Sequence, residues 1–129
     1  MKARTQKYNT FDNPAGFIEQ HFLGVQSADS VIAAVEELVR RAKKLKINKQ
    51  HVFILVDVSD VPKIDVSGKM SRARKEAIKA MKDADYDKIA VYGDTALQIM
   101  VNTLALIAGK RDKIRVFASR VEALKWLKS

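Results

Sequence analysis

The 129-residue sequence contains no cysteine. Disulfide bonds, thiolate catalysis and cysteine-ligated metal are therefore excluded, and a cytoplasmic location is expected. We expect no signal peptide, because Lys2, Arg4 and Lys7 are followed by polar residues, and no transmembrane segment, because no apolar run is long enough. Internal repeats, low-complexity tracts and linkers are also absent, so the length predicts one domain over residues 1–129.

Acidic residues are outnumbered, with 15 Asp and Glu against 24 Lys and Arg, and the formal net charge is +9. Such an excess fits nucleic acid, an anionic membrane, an acidic protein partner or simply a lysine-rich solvated surface. Basic residues concentrate in 40–49 and 63–82, but no nucleic-acid-binding motif accompanies them and aromatic residues are not interleaved. We therefore expect no specific nucleic-acid partner and only weak, salt-sensitive binding.

The rest of the chain is arranged around residues 51–70, HVFILVDVSDVPKIDVSGKM. The apolar run 53–56 is rich in β-branched residues and is typical of a strand covered on both faces. Pro62 ends the strand pattern because proline has no N–H to donate. A short polar turn then leads to a helix, and in open α/β sheets function tends to lie at such a turn.

Strands and helices alternate along the sequence. Strands are predicted at 16–24, 53–58, 88–93 and 114–117. Helices are predicted after Ser27 or Asp29, after Gly68, after Asp94 or Thr95, and after Ser119. This alternation predicts an α/β fold with a mostly parallel central sheet, preceded by a polar lead-in at residues 1–14. The 16–24 strand is expected at or near a sheet edge, and the final helix is expected to bury Val121, Leu124 and Leu127.

The third predicted helix has few polar residues. Between Leu97 and Ala108 only Gln98, Asn102 and Thr103 are clearly polar. A helix that is apolar nearly all round is either buried or faces a partner, a twin subunit or a ligand. We therefore expect a homodimer that uses this helix or an edge strand.

Few residues offer catalytic chemistry. Asp57, Asp60 and Asp65 could bind magnesium through carboxylate oxygens, or could be turn and cap aspartates. His21 and His51 lack paired metal-ligand spacing and are expected to be strand residues with satisfied or solvated rings. No phosphate-binding glycine pattern occurs. We therefore expect no metal, no cofactor and no enzymatic activity.

Ser67 lies beside Gly68 at a predicted helix N-terminus. Backbone N–H groups at such a terminus are unpaired, and the helix dipole favours an anion. A phosphate on Ser67 would meet these donors, with Lys63, Lys69 and Arg72 nearby in sequence. The alternative is that Ser67 is only the N-cap.

Three segments together resemble a STAS domain, and most closely its SpoIIAA-like, anti-sigma-factor-antagonist-like branch. They are the strand-turn-helix at 54–68, the strand at 89–93 and the closing strand and helix at 116–127. The resemblance implies a SpoIIAA/STAS-like fold, related to the CRAL-TRIO C-terminal fold, over nearly the whole chain from Gly16.

The resemblance also implies a function. In the antagonists an anti-sigma kinase phosphorylates the second hydroxyl residue of the motif, and Ser67 matches that position. Val66 takes the place of the first serine. The implied function is a non-enzymatic regulatory module that binds a protein partner, such as an anti-sigma-type kinase or another regulator. The implied docking turn and helix comprise Asp65, Gly68, Lys69 and Arg72. The alternative is a carrier or sensor of a small apolar or lipid-like ligand, suggested by the apolar third helix.

Overall fold

The computed structural model describes residues 7–24, 27–48, 50–60, 75–76, 79, 86–93 and 113–129. Their elements are β1 (Tyr8–Asn13), β2 (Phe17–Leu23), α1 (Ala28–Ile47), β3 (Phe53–Asp60), β4 (Lys88–Gly93), β5 (Ile114–Phe117) and α2 (Arg120–Leu127). Residues 75, 76 and 79 are helical and fall within the second predicted helix. No helix of these segments is long and apolar enough to cross a membrane.

The five strands form one sheet in the order β1-β2-β3-β4-β5. β1 runs antiparallel to β2, and all the other neighbours are parallel. α1 packs on one face of the sheet and α2 on the other. The predicted α/β fold with a mostly parallel sheet is confirmed, with the apolar strand β3 at its centre.

Residues 8–13, predicted as part of a polar lead-in, instead form the edge strand β1. A tight turn joins β1 to β2, because Gly16 N–H donates to the Asn13 carbonyl at 3.0 Å and Ala15 N–H donates to the Asn13 side chain at 2.8 Å. Gly16 completes the turn with a φ of 102°. The sequence carries little sign of β1, because an edge strand with few buried residues lacks a clear apolar alternation.

The α1 face of the sheet carries the larger apolar core. One row crosses four strands and consists of Ile18, Ile54, Ile89 and Ile114. A second row consists of Val56, Val91 and Val116. Leu38, Val39 and Leu45 of α1 pack against these residues. Ser27 caps α1 through a reciprocal pair of hydrogen bonds with Ser30, as one of the two predicted caps.

The opposite face packs against α2. Leu55 and Ala90 at the centre of the sheet contact the helix residues Ala123 and Leu127. Val121, predicted to face the core, is instead 67% exposed. The reason is helix geometry: a two-turn helix that buries positions 123 and 127 turns position 121 toward solvent.

Candidate functional site

A row of polar and aromatic side chains crosses the α2 face near the carboxyl ends of the parallel strands. The strand register places His21 beside Asp57, Asp57 beside Tyr92, and Tyr92 beside Phe117. Glu19 shares this face because side chains two residues apart on a strand point the same way. Carboxyl ends of parallel strands are where α/β sheets usually place their ligands.

His21 bridges two carboxylates. Its Nδ1 lies 2.8 Å from Oδ2 of Asp57, and its Nε2 lies 2.7 Å from Oε2 of Glu19. Because an ionised carboxylate only accepts hydrogen bonds, both contacts are hydrogen bonds when the ring carries a proton on each nitrogen. The ring also stacks on Phe11 of β1, with centroids 5.9 Å apart and planes 6° apart.

Glu19 is the most deeply buried charge of the site, with 4% of its side chain exposed. Arg120, the first residue of α2, donates two hydrogen bonds to it: Nη2 to Oε1 at 2.6 Å and Nη1 to Oε2 at 3.1 Å. Asn13 donates a further hydrogen bond to Oε1 at 2.7 Å. Such a bidentate pair fixes both position and orientation. It ties the N-terminus of α2 to β2, 101 residues away in sequence.

These contacts hold Glu19 in its ionised form. The Arg120 hydrogen bonds lower the pKa of Glu19 to about 2; burial opposes this, and the hydrogen bonds from His21 and Asn13 add to it. The same pairing raises the pKa of Arg120. Burial raises the pKa of the Tyr92 hydroxyl, which accepts a hydrogen bond from Nη1 of Arg120 at 3.3 Å.

Asp57 joins this cluster to the end of β3. Its Oδ1 accepts hydrogen bonds from the Ser59 N–H at 2.8 Å and the Ser59 hydroxyl at 2.5 Å. Burial acts to raise the pKa of Asp57, but the hydrogen bonds from Ser59 and His21 outweigh it and the pKa is lowered. Asp57 therefore binds its own backbone two residues on, which is the turn role that the sequence offered as the alternative to magnesium binding.

Gly93, at the end of β4, lies against the backbone of Val58 and Ser59 at the end of β3. A Cβ built there would lie 2.5 Å from the Ser59 nitrogen and 2.7 Å from the Val58 carbonyl carbon. Its φ of 136° also lies in the region that side chains disfavour. Glycine at this position allows β4 to approach the Asp57–Ser59 turn.

We call Glu19, His21, Asp57, Ser59 and Arg120 the carboxylate–histidine cluster. Its ionisable groups bind one another. Within the described residues, no group of three or more His, Asp or Glu side chains is arranged to hold a metal ion. The cluster is therefore suited to fixing the carboxyl ends of β2 and β3 against α2.

The predicted switch lies outside the described residues. This applies to Asp65, Ser67, Gly68, Lys69 and Arg72, and to the third predicted helix. The described chain comes within five residues of Asp65, because β3 ends at Asp60. The Asp60 carbonyl accepts a hydrogen bond from Gly24 N–H at 3.0 Å, so the ends of β2 and β3 are tied together. The strand that precedes the predicted switch is confirmed, while the switch itself stays a prediction.

Sequence reasoning missed Glu19, Tyr92 and Arg120. Glu19 and His21 do carry a signal, because two ionisable residues two positions apart on a strand share one face and indicate a polar spot there. Nothing in the sequence pairs Arg120 with Glu19. The prediction for His21 is confirmed, because it lies in β2 and its ring is satisfied by two carboxylates. For His51 the prediction of a solvated ring is confirmed, with 81% of the side chain exposed, but the residue precedes β3 and is not part of the strand.

The fold is that of an α/β domain with a five-stranded, mostly parallel sheet. A family model described as SpoIIAA-like matches residues 18–128, and the chain belongs to that family. A solved structure, an uncharacterized protein of the DUF3478 family with a SpoIIAA-like fold from Shewanella loihica PV-4, is similar with a TM-score of 0.64. The two are 10% identical, and the alignment covers 98% of each chain, so the likeness concerns the fold. No curated protein matches the sequence.

Proposed function

We propose that this chain is a non-enzymatic regulatory module that binds a protein partner in the cytoplasm, as an anti-sigma-factor antagonist does. Membership of the SpoIIAA-like family supports the class. The observation that carries the proposal is the carboxylate–histidine cluster. Its charged groups bind one another. It fixes the carboxyl end of β3, from which the chain continues to the Ser67 turn.

The cluster is poorly arranged for catalysis. A catalytic histidine needs one ring nitrogen on a nucleophile or substrate and the other on an orienting group. Both nitrogens of His21 face carboxylates instead. The Ser59 hydroxyl donates to Asp57, and the lowered pKa of that carboxyl makes it a weak base. These contacts favour a structural role that supports a binding surface.

The proposed docking surface is the turn and the helix start after β3, with Asp65, Gly68, Lys69 and Arg72 around Ser67. A phosphate on Ser67 would add a dianion at a helix N-terminus, where N–H donors and the dipole favour it. Asp65, two residues before Ser67 in the sequence, carries a like charge that would oppose the phosphate wherever the two come close. The phosphate would therefore change local charge and shape more than the stability of the fold, which is how a switch alters partner affinity.

Pull-down of the tagged full-length chain from native lysate, followed by mass spectrometry of captured proteins, tests this function. Ser67→Asp keeps a capping oxygen and should lose partners that the wild type captures. Ser67→Thr, the matched control, keeps the hydroxyl and should retain them. Ser67→Ala should cost about 0.5–2 kcal/mol of stability if the serine caps the helix. Equal capture by Ser67→Asp and the wild type would mean that the turn is not the docking surface.

The alternative function is a carrier or sensor of a small apolar or lipid-like ligand, as a relation to the CRAL-TRIO fold would suggest. One observation favours it: the aromatic side chains of Phe53, Phe117 and Trp126 on the α2 face are only partly buried. Native mass spectrometry of the purified chain would then find a bound molecule lost after organic extraction. A single mass equal to that of the bare polypeptide would favour the protein-binding function.

A further inference from the structure

The two edge strands of the described sheet, β1 and β5, differ in whether a side chain covers their outward backbone groups. At β1, Arg41 of α1 reaches over the edge: its Nη2 donates to the Thr10 carbonyl at 3.2 Å, and its Nη1 pairs with the Asp12 carboxylate at 3.1 Å. A side chain that covers an outward backbone carbonyl blocks the pairing of another strand. The β1 edge is therefore guarded at its centre.

The β5 edge carries no such guard within the described residues. β5 pairs with β4 on one side, and no described strand lies beyond it. Ile89 pairs with Ile114, and Ile89 N–H donates to the Lys113 carbonyl at 2.7 Å. Parallel pairing alternates, so the backbone N–H and C=O groups of Ile114 and Val116 point away from the sheet. They offer a template for one more strand.

Cations and an indole surround this edge. Arg115 is exposed, and its guanidinium carbon lies 5.5 Å from the centre of the Trp126 ring. The Lys88 ammonium lies 5.2 Å from the same ring. Lys125 and Lys128 on α2 are exposed as well. Between residues 113 and 129 the only acidic side chain is that of Glu122.

We propose that the β5 edge, together with Arg115 and Trp126 beside it, docks an extended acidic segment of a partner protein. The backbone of the segment pairs with Ile114 and Val116, as in β-strand addition. Its carboxylates pair with Arg115, whose planar guanidinium suits bidentate contact. The neighbouring lysines raise the rate of encounter. We call this the β5 docking edge.

Other occupants fit less well. A second copy of this chain could pair through its own β5 about a two-fold axis. This pairing would bring the Arg115 side chains of the two copies close together, and their like charges would oppose it. Nucleic acid would neutralise the cations, but its phosphates are acceptors and leave the outward carbonyls of Ile114 and Val116 without donors. An acidic polypeptide satisfies both the charges and the backbone groups.

The β5 docking edge adds a second surface to the proposed protein-binding function and does not depend on the Ser67 turn. Titration with a synthetic peptide tests the β5 docking edge, and capture from lysate by the Ser67 variants tests the Ser67 turn. Either experiment can fail while the other succeeds. The two proposals therefore stand or fall separately.

The fluorescence of Trp126, the single tryptophan of the chain, reports binding directly. The probe is an end-capped peptide of alternating glutamate and valine. It should shift the emission of the wild type in a saturable way. A peptide of the same charge with proline in place of valine cannot pair as a strand and should bind at least about tenfold more weakly.

Variants of the full-length chain supply the second arm. Arg115→Glu should weaken binding of the glutamate–valine peptide by at least about tenfold. Arg115→Lys keeps the charge but not the bidentate contact and should weaken binding less than Arg115→Glu does. Lys43→Glu, at an exposed position on α1, makes the same change in net charge and should leave binding unchanged. Circular dichroism melting checks that each variant is folded.

Three results would overturn the proposal. One is equal binding of the valine and proline peptides, which would mean attraction by charge alone. Another is equal loss of affinity in Arg115→Glu and Lys43→Glu. The third is binding of oligo-dT more tightly than the peptide at physiological salt, which would identify the surface as a nucleic-acid site.

Discussion

At the scale of single residues, Glu19 holds the most contacts of the carboxylate–histidine cluster. It accepts from Arg120, His21 and Asn13 while almost fully buried. Glu19→Gln keeps the shape of the side chain but places an amide N–H₂ against one of these donors and removes the charge that pairs with Arg120. Hydrogen bonds to charged groups contribute about 1.5–3 kcal/mol, so we expect a loss of that size in urea unfolding.

Glu36→Gln on α1 is the matched control, because Glu36 is exposed to solvent. Its free energy of unfolding should lie within about 0.5 kcal/mol of the wild-type value. Equal stability of both variants and the wild type would mean that the buried ion pair contributes nothing net, as some buried pairs do.

The same carboxylate predicts how stability depends on pH. The pKa of Glu19 is about 2 in the folded chain against an ordinary value of 4.5. A lowered pKa stabilises the fold above the unfolded value, and this contribution is lost as pH falls from about 4.5 through 2. Its full size is roughly 3 kcal/mol. Urea unfolding of Glu19→Gln should therefore show a shallower loss of stability in this window than the wild type, while Glu36→Gln should follow the wild-type slope.

At the scale of elements, the corner where β3 and β4 end depends on Gly93. Gly93→Ala would place a Cβ against backbone atoms of Val58 and Ser59, which cannot move as a flexible side chain can. Strain at disfavoured backbone angles alone costs of order 1–3 kcal/mol, and the clash adds to it. We expect a loss above about 3 kcal/mol in thermal or urea unfolding.

Gly16→Ala is the control for this effect. Gly16 also has a positive φ, but a Cβ at this position would have nothing within 4 Å, so only the backbone strain applies. Its loss should be about 1–2 kcal/mol. Comparable losses in the two variants would mean that β4 shifts to accept the methyl group, and that the close approach to Ser59 is not required.

Prediction from sequence succeeded for the elements whose signal is local. β3 and β4 are recognisable as strands because their apolar runs are buried on both faces. β5 is recognisable from its short β-branched pattern, although Arg115 within it is exposed. Ser119 could be identified as a cap, and Ser27 as one of two candidates, because capping is set by the next three residues. β1 was missed because its stability comes from pairing with β2 and not from its own apolar content.

The cluster could be predicted only in part, because it depends on register. Asp57 could be identified from the sequence as a candidate near the end of the central strand. Its contact with His21 depends on the register in which β2 pairs with β3, which the sequence does not show. Arg120 reaches Glu19 only because α2 returns across the sheet after β5. Contacts between residues so far apart in sequence follow from tertiary packing, which residue patterns do not encode locally.

At the scale of the whole molecule, the net charge of +9 follows from composition, but its effect at the surface depends on which groups the acidic residues bind. Glu19, Asp57 and Asp87 have lowered pKa values and bind internal partners. Glu37 pairs with Arg41 on α1. Acidic side chains that already bind partners within the chain offer less counter-charge to the other basic residues. The exposed lysines and arginines therefore make the surface attractive to acidic partners.

Self-association also belongs to this scale. We expect a homodimer, so sedimentation at micromolar concentration should give a mass above the 14.5 kDa of one chain. The guard by Arg41 at β1 and the like charges at β5 both oppose pairing of sheet edges between copies. The segment between Leu97 and Ala108, with few polar residues, is then the favoured interface.

Two variants separate the possible interfaces. Leu104→Gln should shift the sedimenting mass toward the monomer while circular dichroism remains that of a folded chain. Arg41→Ala removes the guard from the Thr10 carbonyl and should leave the dimer unchanged if the interface is the 97–108 segment. Tighter association of Arg41→Ala would instead place the interface at the β1 edge, because an uncovered edge pairs more readily with a second copy. A wild-type chain that sediments as a monomer would refute the dimer altogether, and the apolar 97–108 segment would then serve the core or a ligand of the single chain.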